Sequence, residues 1–159
     1  MNQTYLLIGG NLGNREENLK HATRSIAHRL GPVLMASSIY ETEAWGMKDQ
    51  PPFLNQVLFV ETKLNPEAVL DAILSIEKEM GRKRIEKFGP RTIDIDILFY
   101  NDLKMHKSSL TIPHPQLHLR RFTLEPLNEI APHLVHPVFN KPISELLKES
   151  NDPLVVKKL

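Results

Sequence analysis

Gly89-Pro90-Arg91-Thr92-Ile93-Asp94-Ile95-Asp96-Ile97-Leu98 is the sharpest alternating stretch in the chain. Side chains of a strand alternate faces with a period of two, so Ile93, Ile95 and Ile97 share one face and Asp94 and Asp96 share the other. The apolar face can seat in a core, while the other presents two carboxylates side by side. Like charges at neighbouring same-face positions repel, and Asp is depleted in strands, so the pair calls for a cation. Two oxygen-only ligands suit Mg²⁺, which completes its octahedron with water and substrate phosphates. The competing reading is a solvated polar face on an edge strand.

Upstream of this stretch, extended and helical patterns alternate. Tyr5 to Ile8 reads as a short buried strand ending at Gly9-Gly10, and Asn14 reads as an N-cap with Glu17 closing a capping box. The helix that follows is predicted to run to about Leu30 and stop at Gly31-Pro32. Val33 to Tyr40 is predicted as a second strand, Glu43 to Pro52 as a loop, and Phe53 to Thr62 as a third strand. Asn65-Pro66 is an N-cap followed by proline at the first helical position, and Leu70, Ile73, Leu74 and Glu77 keep helical spacing until Gly81. The order strand, helix, strand, strand, helix, strand is βαββαβ, the pattern of a ferredoxin-like α+β sandwich. Beyond Tyr100 the chain becomes proline-rich. A C-terminal extension is expected there, with a hairpin near Asn101-Asp102, short helices near Gln116–Arg121 and Ile143–Lys148, and a loosely held tail from about Ser150.

The totals suit one domain over residues 1–159, with 41% apolar and 25% charged residues. There is no cysteine, which excludes disulfides and thiolate metal sites. The first residues have no basic segment and too short an apolar run for a signal peptide, and no stretch approaches membrane-spanning length, so a cytoplasmic location is expected. The net charge of +1 hides a local asymmetry: Arg82, Lys83, Arg84, Lys87 and Arg91 fall within ten positions whose one acid is Glu86. Arg82 and Arg91 bracket the approach to the Asp strand, and arginine is permanently charged and bidentate toward phosphate. A solvated basic loop is the plainer alternative.

Neither a Walker A sequence nor the dinucleotide fingerprint is present, so a triphosphate would have to be held by side chains and metal. Gly9-Gly10 fits equally a close backbone approach or a tight turn. His114 and His118 lack the further ligand of a zinc signature. His114 lies between Pro113 and Pro115, with Arg120 and Arg121 soon after, which suits either an anion-facing role or a surface position. Trp45, Phe53 and Phe122 could stack on a flat heterocycle or pack in a core, and the Asn55 amide could match a heterocycle's donor and acceptor edge.

Taken together, these stretches resemble the 6-hydroxymethyl-7,8-dihydropterin pyrophosphokinase family of folate biosynthesis. The resemblance rests on Ile8-Gly9-Gly10-Asn11-Leu12-Gly13, Gln50-Pro51-Pro52-Phe53-Leu54-Asn55 and Gly89-Pro90-Arg91-Thr92-Ile93-Asp94-Ile95-Asp96. It continues through Pro113-His114-Pro115 and Arg121-Phe122 to Glu125-Pro126-Leu127. These run in order over about residues 3 to 148. The resemblance implies transfer of the terminal two phosphates of ATP, as one unit, to the hydroxymethyl group of the pterin, with release of AMP. It implies two Mg²⁺ ions, brought with ATP, at Asp94 and Asp96, and a catalytic set of Arg82, Arg91, Asp94 and Asp96. On the ATP side it implies Glu77, Arg82, Arg84, Arg91, Ile97, Thr111, His114 and Arg120. On the pterin side it implies Thr42, Trp45, Phe53, Asn55, Asp94 and Phe122. Family members commonly carry a proline and an aliphatic residue where this chain has Glu43-Ala44-Trp45. The family also implies a monomer acting on ATP and the pterin, without nucleic acid or membrane.

Two other readings use the same features. A non-enzymatic RNA-binding module on the same sandwich would use the basic segment, but Asp94 and Asp96 would repel its phosphates. A metal-dependent nucleotidyl transferase or cyclase would also use paired carboxylates, and would release pyrophosphate instead of AMP.

Overall fold

The apolar run near the start forms β1 (Asn2–Gly10), which pairs antiparallel on one side with β4 (Phe53–Thr62) and on the other with β5 (Asp94–Tyr100). On the far side of β4 lie β2 (Val33–Ala36) and β3 (Tyr40–Thr42), and β8 (Val156–Lys158) pairs with β3 at the sheet edge. With α1 (Arg15–Arg29) and α2 (Pro66–Glu79) this is the βαββαβ order expected of a ferredoxin-like sandwich. The computed structural model describes residues 1–43, 50–81 and 92–159. Trp45 and the basic positions Arg82, Lys83, Arg84, Lys87 and Arg91 lie outside the described residues.

Both main helices begin where their caps dictate. The Asn14 side chain accepts from the Glu17 N–H at 3.1 Å, and the Asn65 side chain accepts from the Ala68 N–H at 2.9 Å. The Glu17 carboxylate accepts from Arg24. Helix α1 stops at Gly31, whose φ is +147°, and a Cβ there would lie 2.1 Å from the Glu61 carbonyl oxygen. Only glycine fits that turn.

One sheet face packs Leu6, Ile8, Leu58, Ile95 and Ile97 against α1 and α2 through Leu19, Ile26, Ile73 and Ile76. The opposite face packs Leu7, Val57, Leu98 and Phe99 against α3 (Arg121–Ile130) and α4 (Ile143–Glu149). The alternation of β5 therefore holds through Ile97. Leu6 then pairs with Ile97 and Tyr5 with Phe99, leaving Leu98 as an extra residue, so Leu98 and Phe99 enter the same cluster. Because α3 and α4 cover this face, it is not the open base-stacking platform that an RNA-recognition module needs.

Four local expectations are corrected. The single strand predicted over Val33–Tyr40 is two, β2 and β3, because Ser37 interrupts the ladder. Its hydroxyl accepts from the Val57 N–H at 2.9 Å and donates to the Ser38 carbonyl at 2.7 Å, so a side chain takes over a backbone partner. A turn does occur at Asn101-Asp102, but the strand after it, β6 (Met105–His106), pairs with β7 (Thr111–Ile112) and not with β5. The helix expected near Gln116–Arg121 is a short 3-10 turn, Leu117–Leu119, and the longer α3 follows it with Pro126 inside. The tail is held: β8 pairs Val156–Lys158 with Tyr40–Thr42, and the Leu159 N–H donates to the Ile39 carbonyl at 2.9 Å.

Helix α3 is also tied to the β2–β3 junction. The Glu129 carboxylate accepts from the Ser38 N–H, the Ser38 hydroxyl at 2.9 Å and the Tyr40 hydroxyl at 2.8 Å. Burial first, and then this carboxylate, push the Tyr40 hydroxyl pKa up. No described helix is long and apolar enough to cross a membrane.

His136 is 3% exposed, and its ring meets Phe99 edge-on at 5.5 Å. Its Nδ1 accepts from the Val138 N–H at 3.1 Å and the Phe139 N–H at 3.3 Å, contacts that a protonated Nδ1 cannot make. Burial, with His118 adding in the same direction, pushes its pKa down to about 4. The unfolded chain then binds a proton near pH 6.5 that the folded one refuses until about pH 4. The stability this ring provides is fully present above pH 6.5 and is lost as pH falls through that window. At one unit per 1.36 kcal/mol, the loss reaches about 2 kcal/mol by pH 5. Urea unfolding at pH 7.5 and 5.0 should show this fall. His136→Gln should be less stable at pH 7.5 yet fall less on acidification, and an equal fall would exclude His136 as the source. His114 and His118, whose pKa values are also lowered by burial, contribute a background that the variant keeps.

Candidate active site

The strand register brings the Asp pair into the fold beside β1: Asp94 pairs with Gly9 and Asp96 with Leu7. Because β5 is the edge strand, its outward N–H groups need acceptors from elsewhere. Glu77, in the last turn of α2 and 4% exposed, supplies one by accepting from the Ile95 N–H at 2.8 Å. The sheet thus anchors β5 on one edge and α2 holds it on the other, at the residue between the two aspartates.

Asp94 and Asp96 form a wall shared by two concavities. The first encloses about 630 Å³ including space open to solvent, and is lined among the described residues by Thr42, Phe53, Asn55, Phe122 and Arg120 over a floor of Leu7 and Gly9. The second is a cleft along the outer edge of β5, bordered by Glu77, Ile97, Thr111 and His114.

The first cavity has the chemistry of a heterocycle site. Phe53 and Phe122 supply aromatic surface, and the Arg120 guanidinium carbon lies 5.5 Å from the Phe122 ring centroid. Asn55 is 6% exposed and Thr42 is 2% exposed. Among the described residues Thr42 Oγ1 is buried without a hydrogen-bond partner, a costly arrangement for a hydroxyl unless something else meets it. Phe53 is set at the cavity rim by its approach segment. Asn11 Nδ2 donates to the Gln50 side chain and to the Pro51 carbonyl at 2.9 Å, and Arg15 donates to the Pro52 carbonyl at 2.9 Å while pairing with Glu41.

The cleft has donors for anions. The His114 N–H donates to the Leu98 carbonyl at 3.0 Å, pinning its loop to β5. His114 Nδ1 accepts from the Gln116 N–H at 3.2 Å, which leaves the ring proton on Nε2. Burial and then Arg120 push its pKa down to about 4 despite the opposing pull of Asp94. His114 is therefore a neutral donor and not a cation, which narrows the anion-facing role predicted from its position.

Of the residues expected on the pterin side, Thr42, Phe53, Asn55, Asp94 and Phe122 share the first cavity. Of those expected on the ATP side, Glu77, Ile97, Thr111 and His114 border the cleft, though the Ile97 side chain itself is in the core. Arg120 lines the first cavity and not the cleft, with its guanidinium donating to the Gln116 side chain. Trp45, Arg82, Arg84 and Arg91 lie outside the described residues. Leu7, Gly9 and Glu43 also line the cavity. Sequence reading missed Leu7 and Glu43, and periodicity offered a signal only for Leu7, which faces opposite to Leu6 and Ile8.

Among the described residues no group of three or more His, Cys, Asp or Glu could hold a metal. The donor set at the shared wall is instead two carboxylates, the kind that binds Mg²⁺ together with substrate phosphates and water. The residues present fit that ion.

Residues 5–132 match the family model described as 7,8-dihydro-6-hydroxymethylpterin-pyrophosphokinase (HPPK). The chain is 41% identical over 150 residues to the 2-amino-4-hydroxy-6-hydroxymethyldihydropteridine pyrophosphokinase of Aquifex aeolicus, covering 94% of this chain and 93% of that protein. It is 39% identical to the protein of the same name from Haemophilus influenzae, with 96% of each covered. Among solved structures, the HPPK-DHPS chain of Plasmodium falciparum has a TM-score of 0.75 at 21% identity over 94% of this chain. This chain spans 43% of that longer one, and the likeness concerns the fold.

Proposed function

This chain belongs to the 7,8-dihydro-6-hydroxymethylpterin-pyrophosphokinase family, and we propose that it transfers the terminal diphosphate of ATP to the hydroxymethyl group of 6-hydroxymethyl-7,8-dihydropterin in folate biosynthesis. The observation that carries this reading is the sharing of Asp94 and Asp96 by a cavity lined with aromatic and amide side chains and an anion-facing cleft. A transfer between two substrates needs their reacting groups to meet at one point, and this wall is where the two concavities meet.

The pterin lies in the cavity, stacked by Phe53 and Phe122, with its amide-like edge read by Asn55 and Thr42. ATP lies along the cleft, with the His114 Nε2–H donating to a phosphate oxygen and Arg82, Arg84 and Arg91 contributing cations. The hydroxyl oxygen of the pterin bonds to the β phosphorus, the bond from that phosphorus to the α-phosphate oxygen breaks, and AMP leaves. Asp94 and Asp96 would hold the two Mg²⁺ ions brought with ATP, which would supply charge neutralisation for the phosphates and lower the pKa of the attacking hydroxyl. Asp96, on the wall facing both substrates, accepts the hydroxyl proton. The acceptor bond from Glu77 to Ile95 keeps the strand between the aspartates from shifting as phosphates arrive. The protein acts as a cytoplasmic monomer with one catalytic domain spanning residues 1–159.

Purified protein with ATP, Mg²⁺ and the hydroxymethyl pterin should yield AMP and pterin diphosphate in equal amounts, and EDTA should stop the reaction. Absence of AMP would overturn the reading. Pyrophosphate in place of AMP would move the protein to the nucleotidyl transferases or cyclases.

A further inference from the structure

We propose that Gly9 is a positioning residue for the pterin, because the empty space at its Cβ position is what the Asn55 amide occupies. Gly9 is the one residue of β1 paired with both Asn55 on β4 and Asp94 on β5. It therefore lies between the group that reads the heterocycle and the first of the paired carboxylates, on the cavity floor. The glycines of this chain with positive φ are Gly13, Gly31 and Gly81 among the described residues, so Gly9 is not required by backbone conformation. What it provides is room. A Cβ at position 9 would fall 2.3 Å from Asn55 Oδ1 and 3.2 Å from Asn55 Cγ. Carbon and oxygen do not approach that closely, so any side chain here would drive the amide away by roughly 1 Å or more, since contacts of this kind settle near 3.5 Å.

The consequence is specific to one substrate. The amide of Asn55 can hydrogen-bond a heterocycle edge only while it leans across β1, and it leans across β1 only above a glycine. Displacing a positioning group by about 1 Å costs on the order of 100-fold where geometry is demanding. The ATP-side residues Glu77, Thr111 and His114 reach the cleft from α2, β7 and the loop after it, and none of them depends on this space. The inference rests on the assignment of Asn55 to the pterin.

The test is a titration cycle with the full chain. Wild type, Gly9→Ala, Asn55→Ala and the double variant are titrated with Mg²⁺ and a non-hydrolysable ATP analogue, and then with hydroxymethyl pterin. Gly9→Ala should weaken pterin binding by roughly 30-fold or more and leave analogue binding within about threefold, as expected for loss of one buried recognition group. The double variant should bind pterin no more weakly than Asn55→Ala alone, because both changes remove the same amide. Additive losses, or normal pterin binding by Gly9→Ala, would overturn the inference while leaving the proposed function standing. Failure of the wild type to bind pterin would overturn both. The Leu54 carbonyl lies 2.8 Å from the same Cβ position, so Gly9→Ala also strains the ladder. If that variant does not fold, recovery of folding and analogue binding in the double variant supports the role. Collapse of both would assign Gly9 to the backbone contact and overturn it.

Discussion

Asp96→Ala is expected to lose about 1,000-fold or more in turnover while the protein stays folded, since removing one preorganised charge-stabilising group costs ~10²–10³ and here the metal set goes with it. The fold should survive because Asp96 contributes nothing to the core. Its neighbours Ile95 and Ile97 remain buried against α1 and α2, and the ladder to Leu7 is made by backbone. The Glu77 acceptor bond to Ile95 is also untouched. Asp96→Asn, which keeps the shape and loses the charge, should be nearly as inactive. AMP formation under saturating substrates and thermal unfolding of the same samples measure the two halves of this result. Turnover within tenfold of wild type would remove Asp96 from the metal set.

Asn55→Ala should raise the pterin dissociation constant by about 100-fold and leave the ATP analogue within about threefold, because a site built to hydrogen-bond its ligand loses discrimination when that bond goes. Asn55 is buried and lines the cavity, so its amide is lost from the site when it is truncated. The loss should appear in pterin affinity and in KM for the pterin. A parallel loss of both substrates would mean that β4 itself had moved and would return Asn55 to the scaffold.

The parts of the fold visible in the sequence were those set by local physics. Strand β4 runs from Phe53 to Thr62 as its apolar pattern predicts, and both helices start at their Asn caps. Asp94 and Asp96 share a face because strand periodicity leaves no alternative. Elements that depended on distant partners were read less well. The break between β2 and β3 follows from the Ser37 hydroxyl bonding to Val57, twenty residues away. Helix α3 carries Pro126, a breaker by propensity, yet packs Leu124 and Leu127 on the sheet. The tail pairs with β3 only because that strand leaves an open edge across the whole length of the chain.

The site divides along the same line. The residue types and their spacing by themselves determined a βαββαβ order with two carboxylates on one face of its last strand, because strand alternation and capping are local properties, while the phosphate and heterocycle roles came from the resemblance of the Gly-Pro-Arg-Thr-Ile-Asp-Ile-Asp run and the Asn55 motif to a known family. Tertiary structure alone decided three further points. Gly9 lies beneath Asn55 and not at a tight turn, Glu77 supports the backbone of β5, and Arg120 joins the Phe122 cavity. Each depends on which strands and helices become neighbours, and that is settled when the two faces of the sheet bury their separate apolar clusters.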